Sequence, residues 1–91
     1  MKKSDLISEI ASSKNLSTQD AEKIVSIIIN DITKTLFLGD RAEFRGFGVF
    51  SARIREERRA RNPKTGETII IKRKLIPHFK MAKNLFRKIN T

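Results

Sequence analysis

The residues in this chain best equipped for chemistry are cations, and they are concentrated. Arg53, Arg55, Arg58, Arg59, Arg61 and Lys64 follow one another closely, and Lys72, Arg73 and Lys74 come shortly after. A guanidinium is planar, permanently charged and forked, so it suits phosphate oxygens and a narrow minor groove. Among these cations stands Pro63, with a rigid apolar ring and no N–H. Such a residue forms turns. On a protein that enters a minor groove it can also part a base step and kink the duplex. The residue types for other chemistry are missing. His78 is the single histidine, and there is no Cys, Trp or Tyr. A disulfide framework or a thiolate zinc site is therefore excluded. No metal-ligand spacing appears and no nucleophile stands beside an evident base. Gly46-Phe47-Gly48 lacks the third glycine of a phosphate-cradling loop. The chain reads as a non-enzyme without metal or cofactor, and His78, after Pro77, reads as a structural or phosphate-contacting residue at a strand-to-helix junction.

Charge is unevenly spread. Residues 1–52 carry seven Lys/Arg and seven Asp/Glu, whereas residues 53–91 carry thirteen Lys/Arg against three Glu. The whole net charge of +10 thus sits in the second part. Such asymmetry implies an anionic polymer or surface as partner, although a basic face also aids solubility.

The elements that must position these cations follow from periodicity. Leu6, Ile7, Ile10 and Ala11 predict a short helix over 4–14, followed by a turn at Lys14-Asn15. Ser17 is a good N-cap for a second helix, with Asp20 at the capping-box position and Leu16 and Ala21 spaced as a hydrophobic staple. That helix should run to about Leu38 and stop at Gly39. Its apolar residues, among them Ile24, Val25, Ile28 and Ile32, cover more than one face. A second copy of the chain is expected against it, because 91 residues offer too little to bury it.

From Arg41 the period becomes two. Ala42 and Phe44 alternate with Glu43 and Arg45. After Gly46-Phe47-Gly48, Val49, Ser51, Arg53 and Arg55 alternate with Phe50, Ala52 and Ile54. Asn62-Pro63-Lys64-Thr65-Gly66 is a turn by composition. Residues 67–76 read as the returning strand, ended by Pro77. Residues 49–76 therefore form a long hairpin with Pro63 at its tip. Its outer part, roughly 55–70, has few large apolar side chains and should project as a mobile arm. Ala82, Leu85, Phe86 and Ile89 predict a closing helix over 81–89. The expected class is α+β, ordered helix, helix, three strands, helix. As a single domain it divides into a dimerisation base (1–52), a β-arm (53–76) and a C-terminal helix (77–91). No apolar run approaches the length of a membrane span or a signal peptide.

Gly46-Phe47-Gly48-Val49-Phe50, Arg58 and Arg61-Asn62-Pro63-Lys64-Thr65-Gly66 together resemble the signature of the bacterial HU and integration host factor family, along essentially the whole chain. The resemblance implies an intertwined dimer with a helical base and a three-stranded antiparallel sheet extended into β-ribbon arms that embrace double-stranded DNA. It implies intercalation by Pro63 and DNA contacts along the arm, with Asn62, Lys80 and Lys83 among the binding residues. It implies a dimer interface that includes Ile24, Ile28, Ile32, Phe44, Phe47, Phe50 and Phe79. A cytoplasmic, nucleoid-associated location is implied too, with service to recombination, replication or transcription complexes. Arg41 to Gly48 and Ile76-Pro77-His78-Phe79-Lys80 lean toward the beta subunit of integration host factor, in which positions corresponding to Glu43 and Arg45 support sequence preference. Two departures stand out: Ala60 where many members have glycine, and Met81-Ala82-Lys83 in place of Pro-Gly-Lys.

Two rival partners remain open to the sequence. A ribosomal-type RNA-binding protein shares the size and charge, but it would present aromatics for stacking, and all six phenylalanines lie outside the arm. A membrane-surface protein would need a basic amphipathic helix, which residues 81–91 approach weakly. The chain could pair with itself or with a related subunit.

Overall fold

A computed structural model describes every residue from Met1 to Thr91. The chain divides into two compact units, Met1–Lys34 and Thr35–Thr91.

The first unit is helical. Helix α1 spans Lys3–Ser13, and its entry is fixed by the Lys2 N–H donating to Asp5 Oδ2 at 2.7 Å. Asn15 then takes a left-handed conformation, φ 53°, which Asn tolerates better than most residues. Helix α2 spans Thr18–Phe37. Ser17 caps it as expected, its Oγ accepting the Asp20 N–H at 3.1 Å. The helix ends in a full Schellman motif. Gly39 sits at φ 77°, its N–H donates to Leu36 O, and the Asp40 N–H donates to Thr35 O. Only a residue without a Cβ adopts that conformation freely, so Gly39 sets the stop.

The second unit carries the sheet. Strands β1 (Ala42–Phe44), β2 (Gly48–Arg55) and β5 (Lys74–Met81) form a three-stranded antiparallel sheet in the order β1-β2-β5. Strands β3 (Arg58–Arg61) and β4 (Thr68–Ile71) form a separate two-stranded ribbon. Helix α3 spans Lys83–Ile89. The expected α+β class is found. Three local expectations are corrected. Pro77 does not end the last strand but pairs with Ala52 inside β5. β5 is an outer strand, the place in a sheet where a proline, which has no N–H to give, is tolerated. The closing helix begins at Lys83, since Met81 belongs to β5 opposite Gly48. The Ala82 N–H donates to Phe47 O at 2.9 Å and anchors the crossover from strand to helix. Finally, the long hairpin is not one continuous ladder. It breaks at Glu56-Glu57 on one side and Lys72-Arg73 on the other.

Few side chains are fully covered within one chain. Ala21 and Val25 are the buried apolar residues. The aromatic cluster of the sheet is open on one chain. Phe50 and Phe79 face each other across β2 and β5 with ring centroids 4.8 Å apart. Phe47 meets Phe79 in a tilted pair at 5.3 Å and Phe44 meets Phe50 edge-on at 6.1 Å. Such aromatic pairs contribute about 0.5–1.5 kcal/mol beyond their area burial. Yet Phe44, Phe47 and Phe79 remain exposed, as do Ile24 and Ile28 on α2. Ile32 is half-buried.

Candidate nucleic-acid interface

The register of β2 on β5 sorts the side chains into two faces, because directly opposed residues share a face and neighbours along a strand alternate. Phe50, Ala52 and Ile54 oppose Phe79, Pro77 and Leu75, which makes one face apolar. Val49, Ser51, Arg53 and Arg55 oppose Lys80, His78, Ile76 and Lys74 on the other. Glu43, opposite Val49, joins that second face from β1. The face is therefore basic along its length, with one acid at its inner edge. Glu43 is 3.9 Å from Arg41 in an exposed ion pair. Glu43, Arg45 and Lys80 line one shallow cleft around Gly46, Gly48 and Ala82.

Beyond Arg55 and Lys74 the ladder stops for two residues on each strand. It then resumes with Arg58 opposite Ile71, Arg59 opposite Ile70, Ala60 opposite Ile69 and Arg61 opposite Thr68. Equal numbers are skipped on the two sides, so pairing resumes in the same register without a bulge. The gap itself holds charge of both signs. Glu56 Oε1 lies 3.9 Å from Arg73 Nε. Arg59 and Arg61 thus carry on, by count, the alternation that holds Arg53 and Arg55, whereas Arg58 falls in the alternate set with Ala60. Arg55, Arg58, Arg59 and Arg61 are all exposed.

The tip is held by Asn62. Its N–H donates to Glu67 O at 2.8 Å, its carbonyl accepts the Gly66 N–H at 2.7 Å, and its side-chain Oδ1 accepts the Lys64 N–H at 2.9 Å. Gly66 takes φ 73° to complete the turn. Pro63 is bracketed by these bonds. Its fixed φ suits this turn position, and its ring is exposed at the end of the arm. Lys64 is exposed beside it, while Asn62 is half-buried and occupied by the turn. Lys72 and Arg73 form the gap on the returning side, and Lys83 opens α3.

The structure thus gathers Glu43, Arg45, Arg53, Arg55, Lys74 and Lys80 on or beside one sheet face. It distributes Arg58, Arg59, Arg61, Asn62, Pro63 and Lys64 along the arm. His78, expected as a structural or phosphate-contacting residue, joins the same face. The residue is not at a strand-to-helix junction but in mid-strand opposite Ser51, with Nε2 3.0 Å from Arg53 Nη2. Only the register, through the diagonal relation of 53 to 78, reveals that contact. No group of three or more His, Asp or Glu comes together as a metal site. No helix is long and apolar enough to cross a membrane.

The sequence pattern of the family described as bacterial DNA-binding protein matches residues 1–90. The fold is similar to HU of Anabaena in a cocrystal with DNA, at 29% identity and TM-score 0.81, covering 98% of this chain and 97% of that one. It is similar to HU of Thermotoga maritima at 25% identity and TM-score 0.67, covering 98% of each. A mutant of transcription factor 1 solved in solution gives 27% identity and TM-score 0.66, over 99% of this chain and 91% of that one. The pattern, the three-helix and arm-bearing sheet fold and these likenesses agree over almost the whole length, and the chain belongs to the HU-type bacterial DNA-binding protein family.

Proposed function

We propose that this protein is an architectural DNA-binding protein that acts as a dimer, lays its two β-arms along the minor groove and bends the duplex. The observation that carries this reading is the shared register of sheet and arm. It ranks Lys80, Arg53, Arg55, Lys74, Arg59 and Arg61 along one alternation, with Pro63 exposed at its end. A cationic ribbon of this kind neutralises phosphates along a groove, and an exposed rigid apolar ring at its tip is suited to wedge between bases. The Anabaena relative, whose structure was solved with DNA, supports the same partner.

In this reading residues 1–52 form the dimer base, 53–76 the arm and 77–91 the closing segment. Ile24, Ile28, Ile32, Phe44, Phe47, Phe50 and Phe79 become covered by the second copy, either identical or a related subunit. Arg58, Lys64, Lys72, Arg73, Lys80 and Lys83 contact phosphate. Asn62 holds the tip that presents Pro63. Glu43 and Arg45, placed beside Lys80 in one cleft, supply any sequence preference of the type associated with the integration host factor beta subunit. Bending costs on the order of several kcal/mol and is offset by the larger surface that a bent duplex wraps. The cellular role is nucleoid organisation and assistance to recombination, replication or transcription complexes.

The test is a titration of the purified protein against random duplex DNA and structured RNA over a range of salt concentrations. Preference for duplex DNA is expected, with log affinity falling by about 0.9 per neutralised phosphate for each log unit of salt. Preference for RNA, or an affinity insensitive to salt, would refute the proposal.

A further inference from the structure

Arg53 and His78 make an unusual pair for a basic surface. Arg53 Nη2 lies 3.0 Å from His78 Nε2, and a guanidinium can only donate. Nε2 must therefore be the accepting nitrogen, which leaves the ring neutral with its proton on Nδ1. We propose that His78 is a proton-responsive positioning residue for Arg53, so that DNA binding takes up a proton at His78. The inference rests on the DNA-binding reading and adds a linkage to it.

The surroundings of His78 favour this coupling. Ser51 faces it from β2, with Val49 and Arg53 on the diagonals, and Ile76 and Lys80 flank it along β5 on the same face. From β1, Glu43 lies one strand further off, across Val49, and it is paired with Arg41. The charged groups facing the imidazole are thus cations, and no carboxylate compensates a second positive charge. Protonation removes the acceptor of Arg53 and sets an imidazolium against a guanidinium. A phosphate on this face resolves the conflict, because Arg53 and a protonated His78 can both donate to it. Proton and DNA therefore favour each other, and affinity strengthens as pH falls. His78 is the single histidine of the chain. The linkage is therefore open to clean measurement.

Two measurements test it. In the free protein at about pH 8, nitrogen NMR of the imidazole should report the proton on Nδ1 and a bare Nε2. The opposite tautomer would overturn the Arg53 contact. In the second, affinity for a random duplex is measured at constant salt at about pH 8 and about pH 5.5. Each proton taken up gives at most about tenfold per pH unit, and so about a hundredfold for a dimer with one His78 on each protomer; a gain of at least roughly tenfold at the acid end is expected. His78→Gln supplies an amide oxygen that can still accept from Arg53 but cannot gain a proton, and the ratio between the two pH values should fall to near one. His78→Lys, with a fixed cation, should be equally insensitive to pH and guards against a folding defect in the first variant. Arg53→Gln keeps the histidine but removes its partner, and the pH dependence should shrink. A wild-type affinity independent of pH, or an undiminished dependence in either His78 variant or in Arg53→Gln, would overturn the inference. Failure to bind duplex at every pH would instead overturn the DNA-binding reading, and the NMR result would stand apart from it.

Discussion

Glu56 and Arg73 face each other across the one gap in the arm's hydrogen-bonded ladder, 3.9 Å apart and both exposed. The same register sets Glu57 opposite Lys72 by count. The two acids therefore sit where the backbone pairing is weakest, each against a cation of the returning strand. An exposed ion pair is worth only about 0–1 kcal/mol, so these pairs do not hold the fold together. Their effect falls on the charge presented to a partner.

Neutralising them should strengthen DNA binding. In Glu56→Gln/Glu57→Gln, Lys72 and Arg73 lose their acidic partners, and two negative charges leave the path of the phosphates. The affinity should rise. The salt plot should steepen by up to about 0.9 for each phosphate newly contacted, while the melting temperature stays close to that of the wild type. Anisotropy titrations at several salt concentrations check both. A double variant with unchanged affinity and slope would mean that the gap lies away from the DNA.

Pro63→Ala should separate binding from bending. The turn is closed by Asn62, Gly66 and Glu67 through bonds that do not involve residue 63, so the tip should keep its shape. The arginines behind it are untouched, and affinity should fall only modestly. The bend should shrink, because alanine cannot part a base step as a rigid ring does. Energy transfer between the ends of a labelled duplex reads the angle directly. An unchanged angle would remove Pro63 from the wedge role.

Much of this was legible because certain residues admit few local outcomes. Ser17 caps and Gly39 terminates, and α2 lies between them. Asn62 to Gly66 reads as a turn at any distance from the rest of the chain. Pro77 misled because the rule against proline in strands applies to central strands, and only the topology identifies β5 as an outer one. Met81 misled because an apolar residue one position before a helical pattern looks the same in a strand. The gap at Glu56-Glu57 and the Arg53–His78 contact depend on which residue pairs with which across the hairpin. A strand period of two places residues on faces but does not fix the register between strands.

Gly48→Ala should destabilise the sheet. Gly48 is buried at the start of β2 opposite Met81, and a Cβ there would lie 2.5 Å from Phe79 Cζ and 2.6 Å from the Lys80 carbonyl oxygen. The ring could rotate away, but the backbone oxygen belongs to the β2–β5 ladder and cannot move without disturbing it. Overpacking of this kind typically costs about 1–3 kcal/mol. In a chain of this size each kcal/mol lowers Tm by roughly 4–8 °C. Thermal unfolding followed by circular dichroism should register the drop, and a Tm equal to the wild type would show that the strand adjusts freely.

Stability should depend on protein concentration. Phe37 is 78% exposed and Ile27 59%, and the aromatic cluster of the sheet is open on a single chain. Single exposed apolar residues are common, but so many on one chain are not. If a second copy covers them, dilution removes that partner and lowers Tm by mass action. Ile28→Glu, which puts a charge on the exposed stripe of α2, should push the protein toward monomer and leave little folded material at low concentration. Sedimentation of the wild type should give a dimer, while the variant gives a smaller species that melts earlier. A wild-type Tm constant over a hundredfold dilution that brackets the dimer's dissociation, with a monomer mass throughout, would mean that one chain suffices and that the two arms do not act as a pair.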